Sequence, residues 1–309
     1  MGVRSRGQPP VGSRTVTPAT KRGTFLAVAG TLCLVPDSTL VRLVDAGSLT
    51  TSAWRGLLTA AALSILLALR YRGRTVETFR AIGGFGLVSA VLWAVNSVLF
   101  VASVDRTAVA NTLVIISTAP FFAALLSKIA LNEPVARRTW LAIASVIAGV
   151  LVTFAGSVEA GGTDGDLMAV GVALVVAVNL TLLRRARAVD MVPAAGLGGL
   201  LGFVVLAGAG VELSVPADDW LPLLLMGLVF IPAGLALITA GTRHLPSPEV
   251  SLILVLETVL GPALAWVVVD EAVTGAAAVG GVIVVATVVA HSVAALRAGA
   301  AERATQTVA

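Results

Sequence analysis

The chain has 309 residues, 57% hydrophobic and only 12% charged, with a mean hydropathy of +0.98. Soluble domains carry about 25% charged residues, and half that share cannot coat a water-facing surface, so a soluble enzyme or binding module is excluded. The net charge of +4 comes without an aromatic-rich basic groove, which sets nucleic acid aside as a partner, and the lone Cys33 excludes an internal disulfide.

In chain order, residues 1–23 are basic and rich in Pro, Gly, Ser and Thr, and read as a disordered tail. "TFLAVAGTLCLV" follows without a small-residue cleavage site and is expected to be a first spanning helix, not a signal peptide. Ten hydrophobic segments follow one another at about 24–44, 51–69, 81–104, 107–130, 137–155, 167–183, 191–211, 220–241, 249–269 and 276–297. Most approach the roughly 20 apolar residues that cross a bilayer as helix. Short punctuated connections such as "RYRGR", "LNEPVARR" and "TRHLPSPE" separate them, and 298–309 reads as a second tail. The expected fold is all-α: a polytopic membrane protein of ten transmembrane helices.

Lys and Arg in alternate loops orient those helices. One side receives 17 of the 21 basic residues, in clusters at Arg4–Arg22, Arg70–Arg80, Arg137–Arg138, Arg184–Arg187, Arg243 and Arg297–Arg303. The other side receives Arg42, Arg55 and Arg106, and Lys128 lies within a span. Both termini are therefore expected in the cytoplasm, with the chain in the cell membrane.

An internal repeat underlies the order. Shifting the sequence by 138 residues lays Asn132-Glu133 on Asp270-Glu271, Leu126 on Leu264 and Val146 on Val284. Each copy holds an apolar helix, a polar-acidic corner and a returning apolar helix. Five spans per half, 24–155 and 163–297, require the second copy to enter the membrane upside down. Inverted repeats are an architecture of secondary transporters, with the site near mid-membrane between the halves.

These residues resemble a known family. "LETVLGPALAWVVVDE" is similar to the second-half pattern of ten-helix, EamA-type members of the drug/metabolite transporter superfamily, and "STAPFFAALLSKIALNE" to its first-half equivalent. "SAWRGLL" resembles the start of the family's second helix, and "PDSTLVRL" one branch's first helix. Thr258 stands where the family usually has proline, and Asn132 and Asp270 where it has glycine before the acid. A proline-dependent kink at 258 is therefore not expected. The resemblance implies transport, with export of a metabolite, amino acid or drug, but marks no substrate.

The polar residues inside the spans are the candidate site. Glu257 lies about 12 Å past Glu249 along a helix, near mid-membrane. An intramembrane acid costs at least a few kcal/mol and usually faces a cavity or a partner. It could exchange a proton during transport, or simply hydrogen-bond a neighbouring helix. Pro36 interrupts the first helix, and Asp37 beside it is expected to pair with Arg55 from the same outer side; snorkelling of Arg55 is the alternative. Trp93 and Asn96 share a helix face and could stack on and hydrogen-bond a solute, and Asn111, Ser117 and Thr118 on the fourth helix are similar candidates. Asn132, Glu133, Asp270 and Glu271 read as hinges or caps of the returning helices. The glycines of "GLGGLLGF" and Gly280-Gly281 are expected to permit close helix approach.

The expected function is secondary transport of a small organic solute, proton-coupled or facilitated, with a non-transporting membrane scaffold or an intramembrane enzyme as the alternatives. No P-loop, HExxH or GxSxG motif occurs, and His244 and His291 lie far apart, so neither ATP drive, a cofactor, a metal nor catalysis is expected. Solute and lipid are the expected partners, with room for a homo-oligomer.

Overall fold

The fold is a computed structural model that describes residues 18–132, 135–155, 163–270, 275, 278–287 and 289–291. Helix is the only regular structure among them. The expected tails fall outside the described residues, apart from 18–23, which belong to α1 (Pro18–Leu34) instead of a disordered arm.

Seven helical segments are long and apolar enough to cross a membrane: Thr20–Arg42, Ser48–Tyr71, Gly83–Arg106, Val109–Ala130, Asp164–Arg185, Ala217–Gly241 and Ser247–Val269. In hydrocarbon every backbone N–H and C=O must find its partner within the segment, and a helix achieves this locally. Side chains on the outside agree. Phe25, Leu69, Leu141, Leu167 and Val267 are each about 70% exposed, an arrangement that suits lipid and not water. The chain is thus a multi-pass membrane protein. The other three expected spans coincide with α8 (Arg137–Ala155), α10 (Val192–Gly208) and helical residues 278–287, which lie outside that set of seven.

Several spans are broken. Val35 separates α1 from α2 (Pro36–Arg42), because Pro36 has no N–H to donate and stands at the start of the new helix. α3 (Ser48–Tyr71) is continuous, and the short α4 (Thr75–Ala81), which the sequence reading left as a connection, precedes α5 (Gly83–Arg106). α6 (Val109–Ile116) and α7 (Ala119–Ala130) form one interrupted span, followed by α8. α9 (Thr163–Arg185) and α10 are followed by α11 (Trp220–Leu224), a π-helical turn at Leu225–Phe230, and α12 (Ile231–Gly241). Pro232 at the head of α12 removes a backbone donor, and the wider turn absorbs the lost register. α13 (Ser247–Leu254) and α14 (Glu257–Val269) form a second interrupted span.

The two interrupted spans match residue for residue. α13 begins and ends 138 residues after α6, and α14 begins 138 residues after α7. The breaks fall at Ser117–Thr118 and Val255–Leu256, the same offset. Both spans end on a left-handed residue, Asn132 (φ 49°) and Asp270 (φ 54°). Asn and Asp tolerate that region better than other residues with a Cβ. α6 packs on α14 and α7 on α13, so the two spans lie antiparallel.

Helix contacts elsewhere depend on missing side chains. α3 and α10 cross where a Cβ on Gly199 would meet the Gly56 carbonyl oxygen at 2.3 Å, and one on Gly56 the Gly199 oxygen at 2.6 Å. Gly198 is as tightly held against α5, with the Ala90 oxygen 2.5 Å from the position of its absent Cβ. α5 also packs on α9, and α1 on α12, completing the wall around an internal cavity.

Candidate functional site

A cavity of about 130 Å³ lies among these helices. Its wall is mostly apolar, supplied by residues such as Leu34, Val172, Val176, Ile231 and Leu235. Three charged side chains line it: Asp37, Arg55 and Glu257.

The interruption at Val35 sets Asp37 in the first turn of α2. Arg55 enters from α3. Its Nε donates to Asp37 Oδ1 at 3.2 Å, its Nη2 donates to Asp37 Oδ2, and its Nη1 donates to Ser97 Oγ at 2.8 Å. Asp37 and Arg55 are 4% and 7% exposed, so Arg55 turns inward and does not snorkel. The guanidinium also lies 5.4 Å over the Phe100 ring. Each Arg55 nitrogen thus donates one hydrogen bond, using three of the five N–H groups of the guanidinium.

Glu257 is placed by the second break, as the first residue of α14. It is half-buried and makes no hydrogen bond or ion pair among the described residues. In the first half of the chain, Ala119 occupies the equivalent position and also lines the cavity. The break forms without proline at 258. Thr258 fills the gap differently, with its Oγ1 donating to the Leu113 carbonyl of α6 at 3.1 Å.

Trp93 and Asn96, three residues apart on α5, both line the cavity. Trp93 Nε1 and Asn96 Oδ1 have no hydrogen-bond partner, and the same holds for the lining hydroxyls of Thr59 and Ser251. Buried polar atoms without partners are uncommon, and here they surround one space.

Other expected residues sit elsewhere. Asn111 is 2% exposed but is not part of the cavity wall. It occupies the first turn of α6, where its Nδ2 donates to Thr107 Oγ1 at 3.3 Å. Asn132 and Asp270 follow the ends of α7 and α14 in left-handed geometry; Asn132 does not stand at the head of the returning helix, since α8 starts only at Arg137. Glu133 and Glu271 lie outside the described residues. Trp54, beside Arg55, points away from the pair, donating from Nε1 to the Leu213 carbonyl at 3.0 Å and meeting Trp220 edge-on at 5.0 Å.

Sequence reasoning passed over Thr59, Ser97, Asn179 and Ser251, all in the cavity wall. Asn179 carried a usable signal, a lone amide deep in an apolar span; its Oδ1 accepts from Ser89 Oγ at 2.7 Å. Small hydroxyls carry none, because in a membrane helix they usually bond their own backbone, as Thr181 does to Ala177. Among the described residues no three His, Cys, Asp or Glu side chains gather as a metal site.

A model of the EamA-like transporter family matches residues 21–155 and again residues 163–293. A solved structure described only as "Crystal structure of protein" superimposes with a TM-score of 0.73, covering 90% of this chain and 99% of its own, at 15% identity. That likeness speaks for the fold alone. No curated protein matched the chain.

Proposed function

Because the chain belongs to the EamA-like transporter family, we propose that it is a secondary transporter that exports a small organic solute across the cell membrane. The cavity carries this reading: a partly enclosed, mostly apolar space with unpartnered polar atoms and an unpaired acid, which is the make-up of a small-molecule site. At roughly 10–15 Å³ per water-sized position, it has room for roughly ten such groups.

The working cycle is alternating access between two five-helix halves of opposite sense, with ten spans and both chain ends in the cytoplasm. The antiparallel packing of the two interrupted spans supports it, as does the family match to each half. Breaks at Ser117–Thr118 and Val255–Leu256 offer points about which each half can bend. Glu257 is the coupling group, able to hold a proton or give it up as the cavity changes sides. The Asp37–Arg55 pair links α2 to α3 through side chains and shapes the site.

The alternative is an uncoupled facilitator using the same cavity. Counterflow of a solute panel in proteoliposomes tests transport, and an imposed pH gradient separates the two. Absence of counterflow for every solute, with protein shown to be inserted, would leave a non-transporting scaffold.

A further inference from the structure

We infer that the solute held in the cavity is a small organic cation bearing at least one N–H, with Glu257 as its counter-ion and Asn96 Oδ1 as a hydrogen-bond acceptor. This rests on the cavity being the solute site, and it adds what the solute must be.

The argument begins with charge. Of the three charged residues in the wall, Asp37 and Arg55 neutralise each other. All three Arg55 nitrogens are already donating, to Asp37 and to Ser97. An anionic solute would therefore find no free cation in the wall, and would face Glu257 with like charge in a poorly screened space. A neutral solute would leave Glu257 without a counter-ion whenever it gives up its proton. A cation supplies the charge that the wall lacks.

Apart from the Trp93 Nε1–H, a donor that calls for an acceptor elsewhere on the solute, the remaining unpartnered lining fits the same class. Asn96 Oδ1 is an acceptor with no donor, and the Thr59 and Ser251 hydroxyls, 4% and 1% exposed, can accept as well as donate. An ammonium group is a donor only, so it can serve several of these atoms at once. Trp93 and Phe100 add aromatic faces to the wall, which attract cations. Phe100 already lies beneath the Arg55 guanidinium, leaving Trp93 as the ring available to a solute.

Three probes of similar shape and different charge test the inference: phenethylamine, phenethyl alcohol and phenylacetate. Calorimetric titration of the purified full chain in detergent at neutral pH is expected to give the order amine, alcohol, carboxylate. A charge-assisted hydrogen bond predicts a gap of about ten- to a hundredfold between the amine and the alcohol. Glu257→Gln should remove that gap, and Glu257→Asp should restore part of it. Equal or tighter binding of phenylacetate overturns the inference, as does no binding of the amine. An amine affinity unchanged in Glu257→Gln overturns it too. The wild-type series stands without any variant, so a variant that misfolds does not blunt the test. Amine binding without counterflow would instead sink transport and leave the cation site standing. Counterflow of neutral or anionic solutes with no preference for amines would do the reverse.

Discussion

Arg55 on α3 grips both carboxylate oxygens of Asp37 on α2, and both residues are almost wholly withdrawn from solvent. Removing one partner of a buried pair strands the other charge and costs about 3–5 kcal/mol. Asp37→Ala is expected to destabilise the detergent-solubilised protein by that order, and Asp37→Ala with Arg55→Ala together by less than the sum of the two. Denaturant unfolding of the four species measures the coupling; strictly additive losses would show that the pair contributes nothing.

Glu257 has no partner to lose, so its neutral variant should fold. In proteoliposomes with an imposed pH gradient, Glu257→Gln is expected to abolish proton-driven uptake, and the counterflow that remains, weakened for amines, should no longer respond to the gradient. Proton-driven uptake equal to wild type would remove Glu257 from coupling.

The α3–α10 crossing has no space for a methyl group on either side. Gly199→Ala must push backbone from backbone, and overpacking of this kind costs roughly 1–3 kcal/mol. Gly208→Ala, at a position with nothing within 4 Å of the added carbon, is the control and should be as stable as wild type or slightly more so. A Gly199→Ala protein as stable as that control would mean the helices separate freely.

Thr258 holds the two interrupted spans together through its bond to the Leu113 carbonyl. Thr258→Val keeps the shape and removes the donor, with an expected loss of about 1 kcal/mol. Thr258→Ser retains the hydroxyl and should recover most of that loss in the same unfolding assay.

His244, in the turn between α12 and α13, has its pKa held below the ordinary 6.5, first by burial and then by the charges of Arg22, Arg243 and Arg184. The folded protein therefore resists a proton that the unfolded chain accepts. This contribution is present in full above about pH 6.5 and is lost as pH falls from there toward the folded value. Thermal unfolding from pH 8 to 5 should show a shallower loss for His244→Asn than for wild type. Identical slopes would exclude the effect.

Membrane threading can be read directly. On a Cys33→Ser background, Arg187→Cys should react with an impermeant thiol reagent only from the cytoplasm and Ser214→Cys only from outside. Labelling of both from one face would break the expected alternation.

The order of helices was legible in the chain because the rule is local. In lipid, an apolar run must satisfy its own backbone, and helix is the local way to do so. The 138-residue repeat was legible for a related reason: equivalent corners need equivalent backbone geometry, and Asn132 and Asp270 provide it with a residue type that tolerates positive φ. Composition alone also showed that the solvent is lipid. The assembly of the site was another matter. Asp37 and Arg55 stand 18 positions apart and meet because α2 and α3 both pack on α5. Glu257 joins them from the far half of the chain, through a helix break that no proline at 258 announces. Ser97, Asn179 and Ser251 reach the same space, while Asn111, a similar residue in a similar helix, does not. Which face a membrane helix turns inward is decided by close fit against its neighbours. Between lipid and an apolar interior, hydrophobicity cannot choose.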